Sequence, residues 1–413
     1  MCDKVKNTTK RYSYVLIFLC WLAYTSSYFG KLSYSANINQ IEDFFNISHG
    51  QSGLVGTLLF ISYGVFQIIN GFLVKRYNIR FVVAFGLFTS GVINLLVGIS
   101  TNFVVVTVLW FFNGIALSFL WTAVIRILAE TLTKEYMAKS SVVIGTTVPM
   151  GTLVVYGLSA LFVELGVFRA IFYFSGIAMP IIAIIWFVFL PKVTSKIPKE
   201  AEKETKAEML KVSKAEIKGV YLSVFCFFAI AVCVNLIKDG LNTWAPVIFK
   251  NEYGISGSLS IILTLALPCI AVFGNLFAVT LHKKIPDFVT QVAIMFVLSG
   301  ALVGVVLFAL DFKILFLTII CFVLIFLMIS SCNSVVTSVF PLFMKARINS
   351  GKIAGLTNGF CYLGSALSSY VLGAIAENFG WTIVFYVILG VCAFVALIWM
   401  IYLLIKAKIK KQY

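Results

Sequence analysis

Apolar residues in this chain come in long blocks, among them 14–30, 81–99, 168–190 and 314–328. Each block approaches the roughly 20 residues that carry a helix across a bilayer. Lipid offers no partner to a backbone N–H or C=O, so such blocks must be helices. Read in order, the pattern predicts helices near 12–36, 52–74, 81–100, 103–130, 139–163 and 168–190, then near 219–248, 256–282, 288–310, 313–342, 352–376 and 381–405. The two sets flank the longest polar interval, 191–218, which holds eight lysines, five glutamates and two prolines. The expected fold is an all-α membrane protein of twelve transmembrane helices in two halves. An N-terminal six-helix half over 1–190 and a C-terminal half over 219–413 would be joined by a charged cytoplasmic linker, 191–218, partly helical through Glu–Lys pairs.

Composition agrees. The 413 residues are 61% hydrophobic and 12% charged, against about 25% charged in a soluble domain. Soluble classes are excluded. A net charge of +16 would suggest nucleic acid in a soluble protein, but its distribution has another cause. Of 32 Lys and Arg residues, 26 fall in the two termini and the even-numbered loops, while Arg169, Lys250 and Lys313 fall in the alternate loops. This positive-inside pattern predicts a multi-pass protein of the plasma (inner) membrane with both termini cytoplasmic. Residues 1–11 are basic, and the apolar run after them is long enough to span, which predicts an uncleaved anchor. The nine cysteines form no CxxC pair and the two histidines, His49 and His282, lie far apart. Neither a metal site, a cofactor nor a disulfide framework is expected, and buried free thiols are. No nucleophile–base pair stands out in any loop, so an enzyme is not expected either.

The two halves resemble each other. Gly166-Val-Phe-Arg-Ala-Ile-Phe-Tyr173 opens the sixth predicted helix and Gly380-Trp-Thr-Ile-Val-Phe-Tyr386 the twelfth. Lys31 lies 20 residues after Arg11, and Lys238 lies 20 after Lys218, the last cations before the first and seventh helices. Two pseudo-symmetric halves in parallel repeat resemble the plan of the major facilitator superfamily, which implies a substrate site at the repeat interface. The loop Gly71-Phe-Leu-Val-Lys75-Arg76-Tyr-Asn78-Ile-Arg80 is similar to that superfamily's loop between helices two and three. Gly71, Arg76 and Arg80 fit its pattern and imply gating or structural roles. Lys75 stands where an Asp is expected and Asn78 where a Gly is.

Three cations, Lys31, Arg126 and Lys238, fall within predicted spans, where a charge costs about 2.5–3.5 kcal/mol on insertion scales. Lys31 shares a helical face with Tyr24, Tyr28 and Ser35, and a lysine's three donors suit phosphate or carboxylate oxygens. The alternative is a helix ending near Gly30, with Lys31 reaching to the outer interface. Lys238 sits in Asn235-Leu-Ile-Lys238-Asp239-Gly240-Leu-Asn242-Thr-Trp244-Ala-Pro246, where Gly240 and Pro246 are expected to loosen or break the helix beside substrate. Its alternative is an outer-interface segment anchored by Trp244. Arg126 can pair with Glu130 at i+4, as an inner gate, or can contact substrate. Acids embedded in spans are few, Asp239 among them.

Four stretches resemble a branch of that superfamily, the organophosphate:phosphate antiporters. Tyr28-Phe-Gly-Lys31 is similar to its Tyr-Tyr-Leu-x-Arg, with Lys for the substrate-binding Arg. Leu236-Ile-Lys238-Asp-Gly240 with Trp244-Ala-Pro246 resembles Leu-Leu-Arg-Tyr-Gly with Trp-x-Pro. Trp121 through Arg126 is similar to Trp-Pro-Pro-x-x-Arg without the prolines, and Ala354-Gly-Leu-Thr-Asn-Gly-Phe-Cys-Tyr-Leu-Gly364 to Ala-Gly-Phe-Thr-Gly-x-x-Gly-Tyr-Leu-Gly. Gln67 and Thr147 stand where the branch has a lysine and a histidine. The resemblance implies a carrier of small organic anions, without specifying phosphate esters. The scarcity of embedded acids favours exchange of anions over proton symport. The expected protein is a monomeric secondary carrier of phosphorylated metabolites or carboxylates working by alternating access. Lys31 and Lys238 would bridge the anion, with uncompensated positive charge disfavouring closure of the empty site. Tyr28, Tyr63, Gln67, Asp239, Trp244 and Arg126 complete the expected substrate-binding set. A membrane sensor of sugar phosphate, or a proton-coupled carrier of drugs or neutral solutes using Asp239, are the alternatives.

Overall fold

The computed structural model describes residues 2–73, 76–197, 214–340 and 350–412. Its helices are α1 (Cys2–Ala36), α2 (Ile38–Phe45), α3 (His49–Leu73), α4 (Ile79–Ile99), α5 (Phe103–Thr131), α6 (Lys134–Gly145), α7 (Thr147–Glu164) and α8 (Ala170–Thr194). They continue with α9 (Lys214–Tyr253), α10 (Gly257–Thr264), α11 (Ala266–Ala271), α12 (Gly274–Lys284), α13 (Phe288–Asp311), α14 (Leu315–Ser334), a π-type turn (Val335–Val339), α15 (Ser350–Phe379) and α16 (Trp381–Gln412). Among the described residues eleven helices are long and apolar enough to cross a membrane. A twelfth span is formed if Gly257–Ala271 and Leu276–Lys284, bent by 47°, count as one. Eleven of the predicted spans are therefore present in order, and the place of the eighth is taken by this bent pair.

Side chains sort as lipid demands. Phe72, Phe225 and Phe316 are more than 70% exposed, while Ser26, Ser90, Asn94 and Asn113 are fully buried. Apolar side chains outside cost nothing in hydrocarbon, and polar ones inside tie helices together. Seven of the eight cysteines whose surroundings are described are buried, and all eight are free; Cys269 is exposed, contrary to expectation.

The chain forms two compact units, Met1–Asn46 with Ile61–Thr205, and Ile47–Phe60 with Lys206–Tyr413. The opening half of α3 thus packs within the second unit. There Glu377 Oε2 accepts the Gly50 N–H at 3.0 Å and Thr57 donates to the Ala366 carbonyl at 2.7 Å. A Cβ on Gly53 would lie 2.1 Å from the Ser369 oxygen, so only glycine permits this approach. Of the expected linker, 198–213 lies outside the described residues, as does Lys75.

The sequence repeat has a backbone counterpart. Gly166 and Gly380, ahead of α8 and α16, both take positive φ (71° and 81°), a region glycine enters without steric cost. Asn46, which caps the C-terminus of α2, and Gly254, which follows α9, also take positive φ, 51° and 63°.

Candidate functional site

In the first unit α1 does not end at Gly30; it runs on to Ala36 and is followed by α2. Lys31 is half-buried, its Nζ 4.8 Å from the centre of the Tyr63 ring and 5.8 Å from that of Tyr28. The negative ring faces attract the ammonium, a contact worth about 0.5–2 kcal/mol. Tyr28 is itself fixed. Its hydroxyl is 3.5 Å from that of Tyr24, whose ring lies 4.9 Å from Trp121. Gly151 of α7 lets that helix come close, since a Cβ there would be 2.6 Å from Tyr28 Cβ. Gln67, one turn beyond Tyr63 on α3, is buried.

A second layer sets the rotation of α1. Asn113 Nδ2 donates to the Gly30 carbonyl at 2.8 Å and Ser175 to the Phe29 carbonyl at 3.0 Å. Ser33 donates to Asn94 Oδ1 at 2.9 Å, and Ser90 to Asn113 Oδ1 at 2.6 Å. Three helices, α4, α5 and α8, thereby grip the turn that carries Lys31. None of these four partners was foreseen in the sequence. The signal was present: Asn94 and Asn113 are lone amides within apolar runs, and an amide in hydrocarbon needs a partner.

In the second unit α9 is continuous from Lys214 to Tyr253, so Gly240 and Pro246 do not break it. Instead Gly240 admits α15: a Cβ there would be 2.7 Å from Leu372 Cδ1, and one on Gly364 would be 2.2 Å from the Val232 carbonyl. Beyond Lys238 the helix extends to Tyr253, about 22 Å at 1.5 Å per residue. Trp244 is 1% exposed and donates to the Ser368 carbonyl at 3.1 Å. It is a packing residue between α9 and α15, neither an interfacial anchor nor an open wall for substrate.

Lys238 Nζ donates to Asn235 Oδ1 at 3.0 Å and lies 3.4 Å from Asp239 Oδ1. The other Asp239 oxygen accepts the Ser365 hydroxyl of α15. Asn235 Nδ2 donates to Asn333 Oδ1 of α14 at 3.3 Å, and the Cys361 thiol is 3.8 Å from the same oxygen. The Lys238 and Asp239 side chains are 22% and 20% exposed, so the pair keeps an open side. The positive charge at Lys238 is thus compensated, which corrects the expectation of an uncompensated cavity in this unit.

Arg126 pairs with Glu130, Nε to Oε1 at 2.6 Å, and its Nη1 donates to the Tyr77 carbonyl at 3.2 Å. Arg80 Nε donates to the Phe187 carbonyl at 2.7 Å with its guanidinium 3.8 Å from that ring. Asn78 caps α4 through the Arg80 N–H at 3.1 Å. In place of the usual glycine the turn has a capping side chain. Arg76 is exposed at this turn and Gly71 lies in the last turn of α3. These contacts brace the α3–α4 connection.

Residues 20–369 match the Major Facilitator Superfamily, and the chain belongs to that family. It is 23% identical over 445 aligned positions to the "Probable hexose phosphate transport protein" of Chlamydia trachomatis, covering 96% of this chain and 92% of that protein. Over 99 positions it is 34% identical to "Membrane sensor protein UhpC" of Escherichia coli, covering 24% of this chain and 23% of that one. Its fold is similar to the crystal structure of a bacterial homologue of the human lysosomal transporter Spinster, with a TM-score of 0.77, 14% identity and coverage of 97% and 98%. These relatives bear out the resemblance to the organophosphate:phosphate antiporter branch.

Proposed function

We propose that this member of the Major Facilitator Superfamily, a multi-pass membrane transporter, carries small organic anions by alternating access and exchanges one anion for another. The observation that carries the reading is the pair of lysines at repeat-related positions, each held by its own unit in a formed setting. Lys31 stands over the faces of Tyr28 and Tyr63; Lys238 is aimed by Asn235 and Asp239. Ammonium groups retained inside helices, despite their insertion cost, mark substrate paths. Relatives named for hexose phosphate transport support phosphorylated metabolites as the first class to test, with carboxylates next. Exchange is favoured over proton symport because Asp239 is already engaged by Lys238 and Ser365. The cell membrane, cytoplasmic termini and action as a monomer complete the reading.

Proteoliposomes preloaded with phosphate or glucose 6-phosphate, then offered labelled anions, test it. Uptake stimulated by internal anion is expected, and wild-type rates in a Lys31→Ala/Lys238→Ala double variant would refute the site. The match to a membrane sensor favours one second reading, in which the chain binds a sugar phosphate and signals. Saturable binding with no flux in the same vesicles would select it.

A further inference from the structure

We infer that Asp239 is a built-in counter-ion of Lys238 that sets the charge of the accepted substrate, favouring monoanions over dianions. The inference rests on the anion-carrier reading of Lys31 and Lys238. Asp239 Oδ1 lies 3.4 Å from Lys238 Nζ, and Ser365 of α15 holds the other carboxylate oxygen. Both charges are carried by successive residues of one unbroken helix, α9, so movement between helices cannot part them. The counter-ion therefore stays within reach of the lysine throughout a transport cycle.

The consequence is a matter of scaling. Attraction between a ligand and a fixed site grows in proportion to the ligand's charge, whereas the cost of stripping its water grows with the square of that charge. A dianion repays its dehydration only where the site is strongly positive. Asp239 cancels the formal charge of Lys238, and any anion that reaches the ammonium also meets this carboxylate. A singly charged ligand loses least. The stretch that this segment resembles has tyrosine where Asp239 stands, so the carboxylate accompanies the change from arginine to lysine beside it.

Paired probes that differ in charge and little in shape provide the test. Glucose 6-sulfate is a monoanion at every working pH, and glucose 6-phosphate becomes a dianion above its second ionisation near pH 6; lactate and malate form a carboxylate pair. Competition for uptake in proteoliposomes at pH 8 is expected to favour glucose 6-sulfate and lactate in the wild type. Asp239→Asn is expected to reverse that preference by about tenfold or more, and Asp239→Glu to retain it. A wild type that prefers glucose 6-phosphate at pH 8 by tenfold overturns the inference without any variant. So does an Asn variant that keeps the wild-type preference. If none of the four anions binds either protein, the anion-carrier reading fails and takes this inference with it; a wrong charge preference sinks the inference alone.

Discussion

Lys31 and Lys238 occupy matching places in the two sequence repeats, yet they are held by opposite means. Lys31 stands beside the aromatic faces of Tyr28 and Tyr63, on a turn gripped from behind by Asn113 and Ser175. Lys238 stands beside an amide and a carboxylate, on a helix pressed against α15 through Gly240 and Gly364. Ring faces and a carboxylate both orient an ammonium, and the carboxylate of Asp239 also cancels the charge of Lys238. The sequence repeat has thus been kept while the described neighbours of the two lysines differ.

The comparison can be broken at several points. Charge reversal is the harshest: Lys31→Glu or Lys238→Glu should lower anion uptake by about 100-fold or more, measured as initial rates in proteoliposomes. If only one reversal does so, the lysines do not share a role. Asn113→Leu leaves the buried Gly30 carbonyl without its 2.8 Å donor and should destabilise the first unit by about 1–3 kcal/mol, seen as a lower melting temperature. Weaker anion affinity should accompany it, because the rotation of Lys31 is loosened. Tyr63→Leu should weaken anion binding about fivefold through loss of the ring face, with Tyr63→Phe near wild type.

The smallest effect is expected at a control pair. Asp287, outside the spans at the start of α13, would be raised by burial, but Lys406, the Thr290 N–H and Tyr402 outweigh this and hold its carboxyl below the ordinary range. A depressed carboxylate contributes stability that is present above its unfolded value, about 3.9, and lost as pH falls through the lower folded value. Lys406→Met should therefore cost at most about 1 kcal/mol at pH 7 and flatten the loss of stability in acid. Transport should be unchanged, since this lysine–carboxylate pair serves to hold α13 to α16. A marked transport defect would erase the distinction drawn between it and Lys238–Asp239.

Much of the architecture was legible because hydropathy acts locally. A block of apolar residues must be a helix in lipid. The Arg126–Glu130 pair was legible for the same reason, its partners being one turn apart. What escaped the sequence depends on distant partners. Whether Gly240 breaks a helix or admits a neighbour is decided by Leu372 and Ser368, more than a hundred residues away. Trp244 reads equally well as an interfacial anchor or a buried spacer until the Ser368 carbonyl is placed against it. The grip of Ser90, Asn94, Asn113 and Ser175 on α1 joins four helices, and no spacing within one of them announces it. The packing of 47–60 within the second unit is likewise a tertiary choice.

Ligand-dependent thermal stabilisation of the purified protein tests the central claim most directly. A saturating anion stabilises a folded state by an amount fixed by its occupancy, about 2.7 kcal/mol at 100 times its Kd. Glucose 6-phosphate, glucose 6-sulfate, lactate and malate, each titrated against wild type, Lys31→Ala and Lys238→Ala, form the comparison. At least one anion should raise the melting temperature of the wild type and leave both variants unmoved. An anion that stabilises all three proteins equally would contradict the assignment of either lysine to the substrate.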